Sequence, residues 1–317
     1  MKRSALVLLI CCVFYACNPS KPDGKPIKPL LASRISIQRN IVYGSDDISK
    51  QALDLYLQGR HTGEPNWFVL VEESRPTVIH FHGGAWLDGD KTQEDMRILP
   101  YLDRGWHVVN VNYRLGENTA PKAVDDAMCA LLWVSKNAEN YRFDTDKIVL
   151  TGFSAGGHLA LISGLLNSKS KSHDCFVGDS LNIRAVVNWF GISDIAALDT
   201  YFQFKLFPPK FNYPRRWIGN ERGLQSISKL YSPINHITPD SPSIFTIHGT
   251  NDLVVPFNQS VALHKALDKA GVRNRLISLE DRNHGGFSDE EGVYVFDQVF
   301  IFLADQGVRE FTPFLFP

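Results

Sequence analysis

An α/β architecture, a mostly parallel central sheet with helices on both faces, is what this sequence predicts. Three observations carry the prediction. Short apolar runs rich in β-branched residues recur along most of the 317-residue chain. Segments with apolar residues three and four positions apart stand between them. Turn chemistry then gathers at the carboxyl ends of the predicted strands, where a parallel sheet places its ligand site.

The chain opens on Met1-Lys2-Arg3, then the apolar run Ala5 to Ala16, then polar Asn18-Pro19-Ser20. That run is too short to cross a bilayer as a helix, so residues 1–16 read as an export signal peptide. Cys17, directly after small Ala16, resembles the modified cysteine of bacterial lipoproteins, which implies a lipid anchor on an exported envelope protein. The alternative is an ordinary signal peptide cut nearby. Residues 17–40 are rich in Pro and Lys and read as an extended tether. Residues 41–317 read as the folded domain.

Within that domain, Ala52–Leu57 alternates apolar and polar residues as a sheet-edge strand does. The runs Thr77–His82, Trp106–Asn112, Lys147–Thr151, Arg184–Phe190, Ser243–His248 and Asn274–Leu279 fit strands buried on both faces. Helical patterns fall at Ala123–Asn140, Ala155–Leu166, Gln259–Ala270 and Gly292–Asp305. Alternating units of this kind imply right-handed crossovers around a parallel sheet.

Hydrophobic residues make up 44% and charged residues 21%, with a formal net charge of −1. Nothing in that balance attracts nucleic acid or an anionic membrane, and no basic run or basic–aromatic interleaving appears. Nucleic acid is therefore excluded as a partner, and the lipid anchor is the one predicted link to a membrane. Cys11 and Cys12 would leave with the signal. Cys129 lies in a helical pattern as a small core residue, and Cys175 lies in a polar loop; two cysteines alone do not decide whether they pair. No metal cluster and no nucleotide loop is present, so no metal or cofactor is called for.

The chemistry concentrates in a few segments. Gly152-Phe153-Ser154-Ala155-Gly156 matches G-x-S-x-G between an apolar strand and an apolar-periodic helix, the context of a nucleophile elbow. Side chains at either glycine would collide with neighbouring elements, and the turn lifts the Ser154 hydroxyl clear of the backbone at a helix N-terminus. His82-Gly83-Gly84-Ala85 follows the Phe81 strand as an oxyanion-hole loop would. Gly83, Gly84 and Ala155 are the expected amide donors. His82 reads as a brace within its loop, and His80 as a satisfied core histidine.

A serine hydroxyl needs a general base, and the base needs an orienting carboxylate. His284, in Asn283-His284-Gly285-Gly286 after the last apolar strand, is the expected base. His158, His248 and His264 read as structural or exposed. Asp252, on the loop after the preceding strand, is the expected acid, with Asp194, Glu280 and Asp281 as competitors.

These motifs together resemble the α/β-hydrolase-fold esterases of the hormone-sensitive-lipase, acetyl-xylan and feruloyl esterase-like group. The matching residues are His82–Trp86, Asn112-Tyr113-Arg114-Leu115, Gly152–His158, Gly191-Ile192-Ser193-Asp194, His248–Asp252 and Asn283-His284-Gly285. Gly116–Pro121 departs from the family's usual Pro-Glu-containing segment. The resemblance implies an α/β-hydrolase fold and a carboxylic-ester hydrolase, acting on small-molecule or carbohydrate esters through a Ser-His-Asp triad. An amidase or peptidase using the same triad, and a catalytically silent binding protein, are the other classes this scaffold hosts.

The segment 199–231 is rich in aromatic residues and carries Lys205, Lys210, Arg215 and Arg216. It reads either as a lid or pocket wall, or as a helical insertion that packs its rings into its own small core.

Overall fold

The computed structural model describes residues 34–45, 47, 50–61, 68–166, 175, 181–204, 208–219 and 221–309. The expected signal segment, Cys17, Lys205 and Phe207 lie outside the described residues.

The chain enters through β1 (Ile35–Val42), β2 (Ala52–His61), β3 (Phe68–Leu70) and β4 (Arg75–Phe81). A 3-10 turn at Lys91–Glu94 leads into α1 (Asp95–Asp103), followed by β5 (His107–Val111), α2 (Ala120–Lys136) and α3 (Ala138–Tyr141). Then come β6 (Phe143–Phe153), α4 (Ala155–Leu166), β7 (Ile183–Trp189), α5 (Ile195–Phe204), α6 (Tyr213–Ile218) and α7 (Glu221–Tyr231). The chain closes with β8 (Ser243–Gly249), α8 (Asn258–Ala270), β9 (Asn274–Leu279) and α9 (Asp289–Asp305). The strands lie in the order β1-β2-β5-β4-β6-β7-β8-β9, with β3 paired to β2. Pairing is antiparallel among β1, β2, β3 and β5, and parallel from β5 through β9.

The parallel strands read as unbroken apolar runs because both of their faces are buried. Val78, Val108, Val149, Val187 and Phe245 pack toward α1 and α9 on one side. Ile79, Val109, Leu150, Val186 and Ile244 pack toward α2, α4 and α8 on the other. Helices on both faces of a mostly parallel sheet make this the α/β-hydrolase arrangement expected from the strand–helix alternation.

Three expectations are corrected. Residues 35–40 are not tether: they form most of β1, which pairs antiparallel with β2. The signal was faint because most of β1 stays solvent-facing. Nor is β2 an edge strand, since β1 lies on one side and β5 on the other. Its apparent alternation came from Asp54, which is fully buried and held by Arg39 at 2.6 Å and Lys91 at 3.2 Å. The predicted helix over 123–140 is interrupted at Asn137, whose Nδ2 donates to the Trp133 carbonyl at 2.8 Å.

Cys129 on α2 and Cys175 form a disulfide that closes a sequence separation of 46 residues. Closing a loop of that length removes about 4 kcal/mol of chain entropy from the unfolded state. Cys129→Ser should therefore cost about 2–4 kcal/mol in urea unfolding and leave catalytic turnover unchanged. Unfolding insensitive to reductant would refute the bond.

Four histidines are buried as neutral rings. Burial is the leading cause in each case and lowers His80 and His107 to about 3, and His82 and His158 to about 4. Imidazoles in the unfolded chain titrate near ~6.5, so the unfolded state binds more protons below that pH. Stability should be complete above ~6.5 and fall as the pH approaches the folded values, by up to about 2 kcal/mol per ring at pH 5. A urea midpoint that stays level between pH 7.5 and pH 5 would show these rings to be protonated in the fold.

Candidate active site

The site is assembled at the carboxyl ends of β4, β6, β8 and β9. Ser154 links β6 to α4 with φ of 55°, a left-handed conformation that a residue with a side chain adopts only under constraint. Its N–H donates to the Trp189 carbonyl at 2.9 Å, and its own carbonyl accepts from the His158 N–H at 3.0 Å. The flanking glycines are dictated by proximity. A Cβ on Gly156 would stand 2.0 Å from the Phe81 carbonyl oxygen, and one on Gly152 would stand 2.4 Å from the Gly156 backbone.

Asp252 and His284 lie on the loops that leave β8 and β9, which are adjacent and parallel. The structure brings them together: His284 Nδ1 stands 2.6 Å from Asp252 Oδ2. A carboxylate at that distance fixes the proton on Nδ1 and leaves Nε2 with its lone pair. The same Oδ2 meets His248 Nε2 at 3.1 Å, and Oδ1 accepts the amides of Val254 at 2.8 Å and Val255 at 2.9 Å. Burial pushes the Asp252 carboxyl upward. The positive charge available at His284 and the hydrogen bonds from His248 and His284 outweigh that, holding it well below the usual carboxylate range. Asp252 therefore stays ionised.

The competing acids are engaged elsewhere. Asp194 caps α5 through the Ala197 N–H at 3.0 Å, and Asp281 accepts from Asn251 Nδ2 at 3.2 Å. Glu280 accepts from the Thr250 hydroxyl at 3.4 Å.

Two contributors escaped the sequence reading. His248 is more than a strand-end residue. Its Nε2 also faces the Val255 carbonyl at 2.8 Å, so that nitrogen carries the proton, and its Nδ1 accepts from the Ser260 hydroxyl at 2.7 Å. Phe190, with φ of 42°, sets its ring edge-on to His284 at 4.6 Å. His-Gly-Thr at a strand end hinted at His248, whereas nothing local marked Phe190.

The loop His82–Trp86 abuts the elbow. A Cβ on Gly83 would sit 3.8 Å from Ser154 Cβ. Gly84, Ala85 and Trp86 are all left-handed, and a Cβ on Gly84 would come within 1.8 Å of the Asp88 carbonyl. Of the expected donors, Gly83 and Gly84 lie on this loop and Ala155 opens α4 directly after Ser154. The amides of Gly84 and Ala85 meet no backbone carbonyl among the described residues. His82 stacks on Tyr113 at 4.4 Å, and its Nδ1 lies 2.6 Å from the Gly83 carbonyl. His80 is buried as expected but not satisfied, since its Nε2 has no hydrogen-bond partner among the described residues. His158 Nε2 bonds to the Tyr231 carbonyl at 2.8 Å, and His264 Nδ1 to Asn274 Oδ1 at 2.6 Å.

The rings of Phe202, Tyr213 and Trp217, in the 199–231 segment, are buried. Trp217 stacks on Trp86 of the glycine loop at 4.2 Å with 12° between planes, and the Tyr213 hydroxyl donates to the Val254 carbonyl at 3.0 Å. The segment thus braces the loops on both sides of the site. A cleft of about 860 Å³, lined by Phe153, Trp189, Phe190, Gly285 and Phe287 among others, adjoins it. Neither Ser154 nor His284 lines that cleft; it reaches them through their sequence neighbours Phe153 and Gly285.

Comparison with known proteins places this geometry. The sequence model of the BD-FAE family matches residues 70–267. The chain is 32% identical over 188 residues to "Probable carboxylic ester hydrolase LipM" of Mycobacterium tuberculosis, covering 58% of this chain and 43% of that protein. It is 30% identical over 199 residues to "Esterase LipQ" of the same organism, covering 62% and 46%. The chain thus spans less than half the length of these two relatives. A solved structure, a truncated form of a carbohydrate esterase from gut microbiota, is 28% identical with a TM-score of 0.70; the match covers 87% of this chain and 98% of that one.

Proposed function

The chain belongs to the BD-FAE family of α/β hydrolases, and from that membership we propose that it hydrolyses carboxylic esters, small acyl esters or acyl groups on carbohydrate, with Ser154, His284 and Asp252 as its triad. The observation that carries the reading is the 2.6 Å contact between His284 Nδ1 and Asp252 Oδ2 beside a left-handed serine. The carbohydrate esterase that the fold matches over 98% of its length supports the substrate class.

In this reading the Ser154 oxygen attacks the ester carbonyl carbon while His284 Nε2 takes the hydroxyl proton. The carbonyl π-electrons move onto oxygen, and the amides of Gly83, Gly84 and Ala155 receive the negative charge. Each such donor is worth ~3–4 kcal/mol in the transition state. The bond to the alcohol oxygen then breaks, and the His284 imidazolium gives that oxygen the proton. Water repeats the attack on the acyl-enzyme with the same base, releasing the acid and restoring Ser154. Asp252 remains ionised throughout and stabilises the imidazolium.

A fluorinated or p-nitrophenyl phosphonate should label the protein once, at Ser154, as read by peptide mass mapping. Ser154→Ala and His284→Ala should each remove at least about 10³-fold of kcat on p-nitrophenyl acetate, and the double variant should lose little more. Additive losses would mean that the two residues do not share a mechanism. Faster turnover of aminoacyl anilides than of acyl esters would transfer the triad to amide chemistry.

The N-terminus supports an exported, lipid-anchored enzyme, and a disulfide between Cys129 and Cys175 suits an oxidising compartment. A cysteine carrying more than one acyl chain holds a protein on a membrane stably. Expressed at full length, the protein should sediment with membranes and incorporate labelled palmitate, and Cys17→Ser should abolish both while ester hydrolysis persists. A wild-type protein that stays soluble and unlabelled would refute the anchor alone.

A further inference from the structure

Asp252 carries two imidazoles on one oxygen, and the triad uses only one of them. His284 Nδ1 lies 2.6 Å from Oδ2, and His248 Nε2 lies 3.1 Å from the same atom. His248 is fully buried at the end of β8 and is not among the residues that line the cleft beside Ser154. Both of its ring nitrogens are engaged. Nδ1 accepts from the Ser260 hydroxyl at 2.7 Å, which leaves the proton on Nε2. That proton is shared between Asp252 Oδ2 and the Val255 carbonyl, the latter at 2.8 Å. A ring with one nitrogen accepting and the other donating has no lone pair left for a substrate proton, so His248 is not a second general base.

The other carboxylate oxygen, Oδ1, accepts the amides of Val254 at 2.8 Å and Val255 at 2.9 Å. Val255 thus meets Asp252 through its N–H and His248 through its carbonyl, and the three residues close a ring of hydrogen bonds. The terminal torsion of an Asp side chain is soft, and a swing about it would carry Oδ2 away from the His284 N–H. Phe190 and Phe257 stand 6.4 Å and 5.6 Å from the His248 ring, apolar surroundings in which a bond to a charge is worth more than in water. A donor on Oδ2 also draws on the charge that the His284 imidazolium feels. The other ionisable groups on elements packed around this carboxylate are Tyr201, Tyr213, Glu280 and Asp281. Their partners are the carbonyls of Leu253 and Val254 and the side chains of Thr250 and Asn251.

We propose that His248 is a positioning residue for the triad acid. Its Nε2–H holds Asp252 Oδ2 in the line of His284 Nδ1 and takes a share of the carboxylate charge, which limits how firmly the imidazolium is held. Ser260 fixes the tautomer that makes this possible. His248 acts through Asp252 and does not touch substrate. The proposal rests on the esterase reading of Ser154 given above.

The test is a set of His248 variants assayed on p-nitrophenyl acetate across pH 5 to 9, with kcat normalised to the folded fraction read by near-UV circular dichroism. His248→Phe keeps the ring and removes both nitrogens. It should lower kcat about 10- to 100-fold with KM within about threefold, because a misplaced acid is felt chiefly in the transition state. It should also move the acid limb of kcat/KM upward by about half a pH unit or more, since the undivided carboxylate charge keeps the His284 proton on to higher pH. His248→Gln places an amide donor where Nε2 stood and should return kcat to within about fivefold of wild type and the limb to its place, whereas His248→Asn is too short to reach and should behave like Phe. A brace for the turn alone would lower the folded fraction and the thermal midpoint and leave the limb where it was. A limb unmoved in His248→Phe, or His248→Gln no faster than His248→Phe, overturns the proposal. Where His248→Phe does not fold, Ser260→Ala decides: it frees the tautomer and should move the limb in the same direction, and no movement overturns the proposal. If phosphonate fails to label wild-type Ser154, the esterase reading falls first; if it labels Ser154 and His248→Phe turns over normally, only the role of His248 falls.

Discussion

A serine held at φ of 55° between a strand and a helix is the constraint on which the rest of the molecule depends. The turn is tight enough that the start of α4 presses against the end of β4, where the Phe81 carbonyl would stand 2.0 Å from any Cβ at position 156. Glycine at 152 and 156 is the only composition that lets strand, helix and neighbouring strand meet at that spacing. The strain is local and does not vanish; the buried sheet around it holds it in place, with β4 and β7 hydrogen-bonded on either side of β6. The glycine loop that follows β4 inherits its position beside Ser154 from this one close approach.

A second demand is electrostatic. Asp252 is an ionised carboxylate with 4% of its surface exposed, and a buried charge is costly unless its oxygens are filled. Here two histidines and two backbone amides fill them. The consequence reaches past the acid. His284 is held to one tautomer and one orientation by an acceptor that cannot itself rotate, and the Phe190 ring closes over it from the side. A base preorganised in this way loses little on passing to its protonated form, because the partner charge is already in place.

The aromatic segment after β7 joins the two sides. Trp217 lies flat against Trp86 and Tyr213 reaches the Asp252 loop, so the same short helix braces the glycine loop and the acid loop. Asp199 holds that segment together by accepting from Asn212 at 2.6 Å and from Arg215 at 3.1 Å. Its aromatic composition reflects ring-on-ring packing across loops that have little other apolar surface.

The sequence by itself determined the class of fold and the turn chemistry. Continuous β-branched runs require burial on both faces, helical periodicity between them requires crossovers, and G-x-S-x-G in that setting requires an elbow. It also placed His284 and Asp252 on the loops of consecutive strands, because chain order and strand ends are both local properties. What it could not decide were the relations that depend on which strands are neighbours. Ile35–Val42 carries too little apolar pattern to announce a strand, and it becomes one only because β2 offers a free edge. His248 reads like any strand-end histidine until β8 and β9 are laid side by side and Asp252 is seen to lie between two imidazoles. Residue types and local spacing are written along the chain, whereas the partner of a buried polar group is set by tertiary proximity, which no local pattern records.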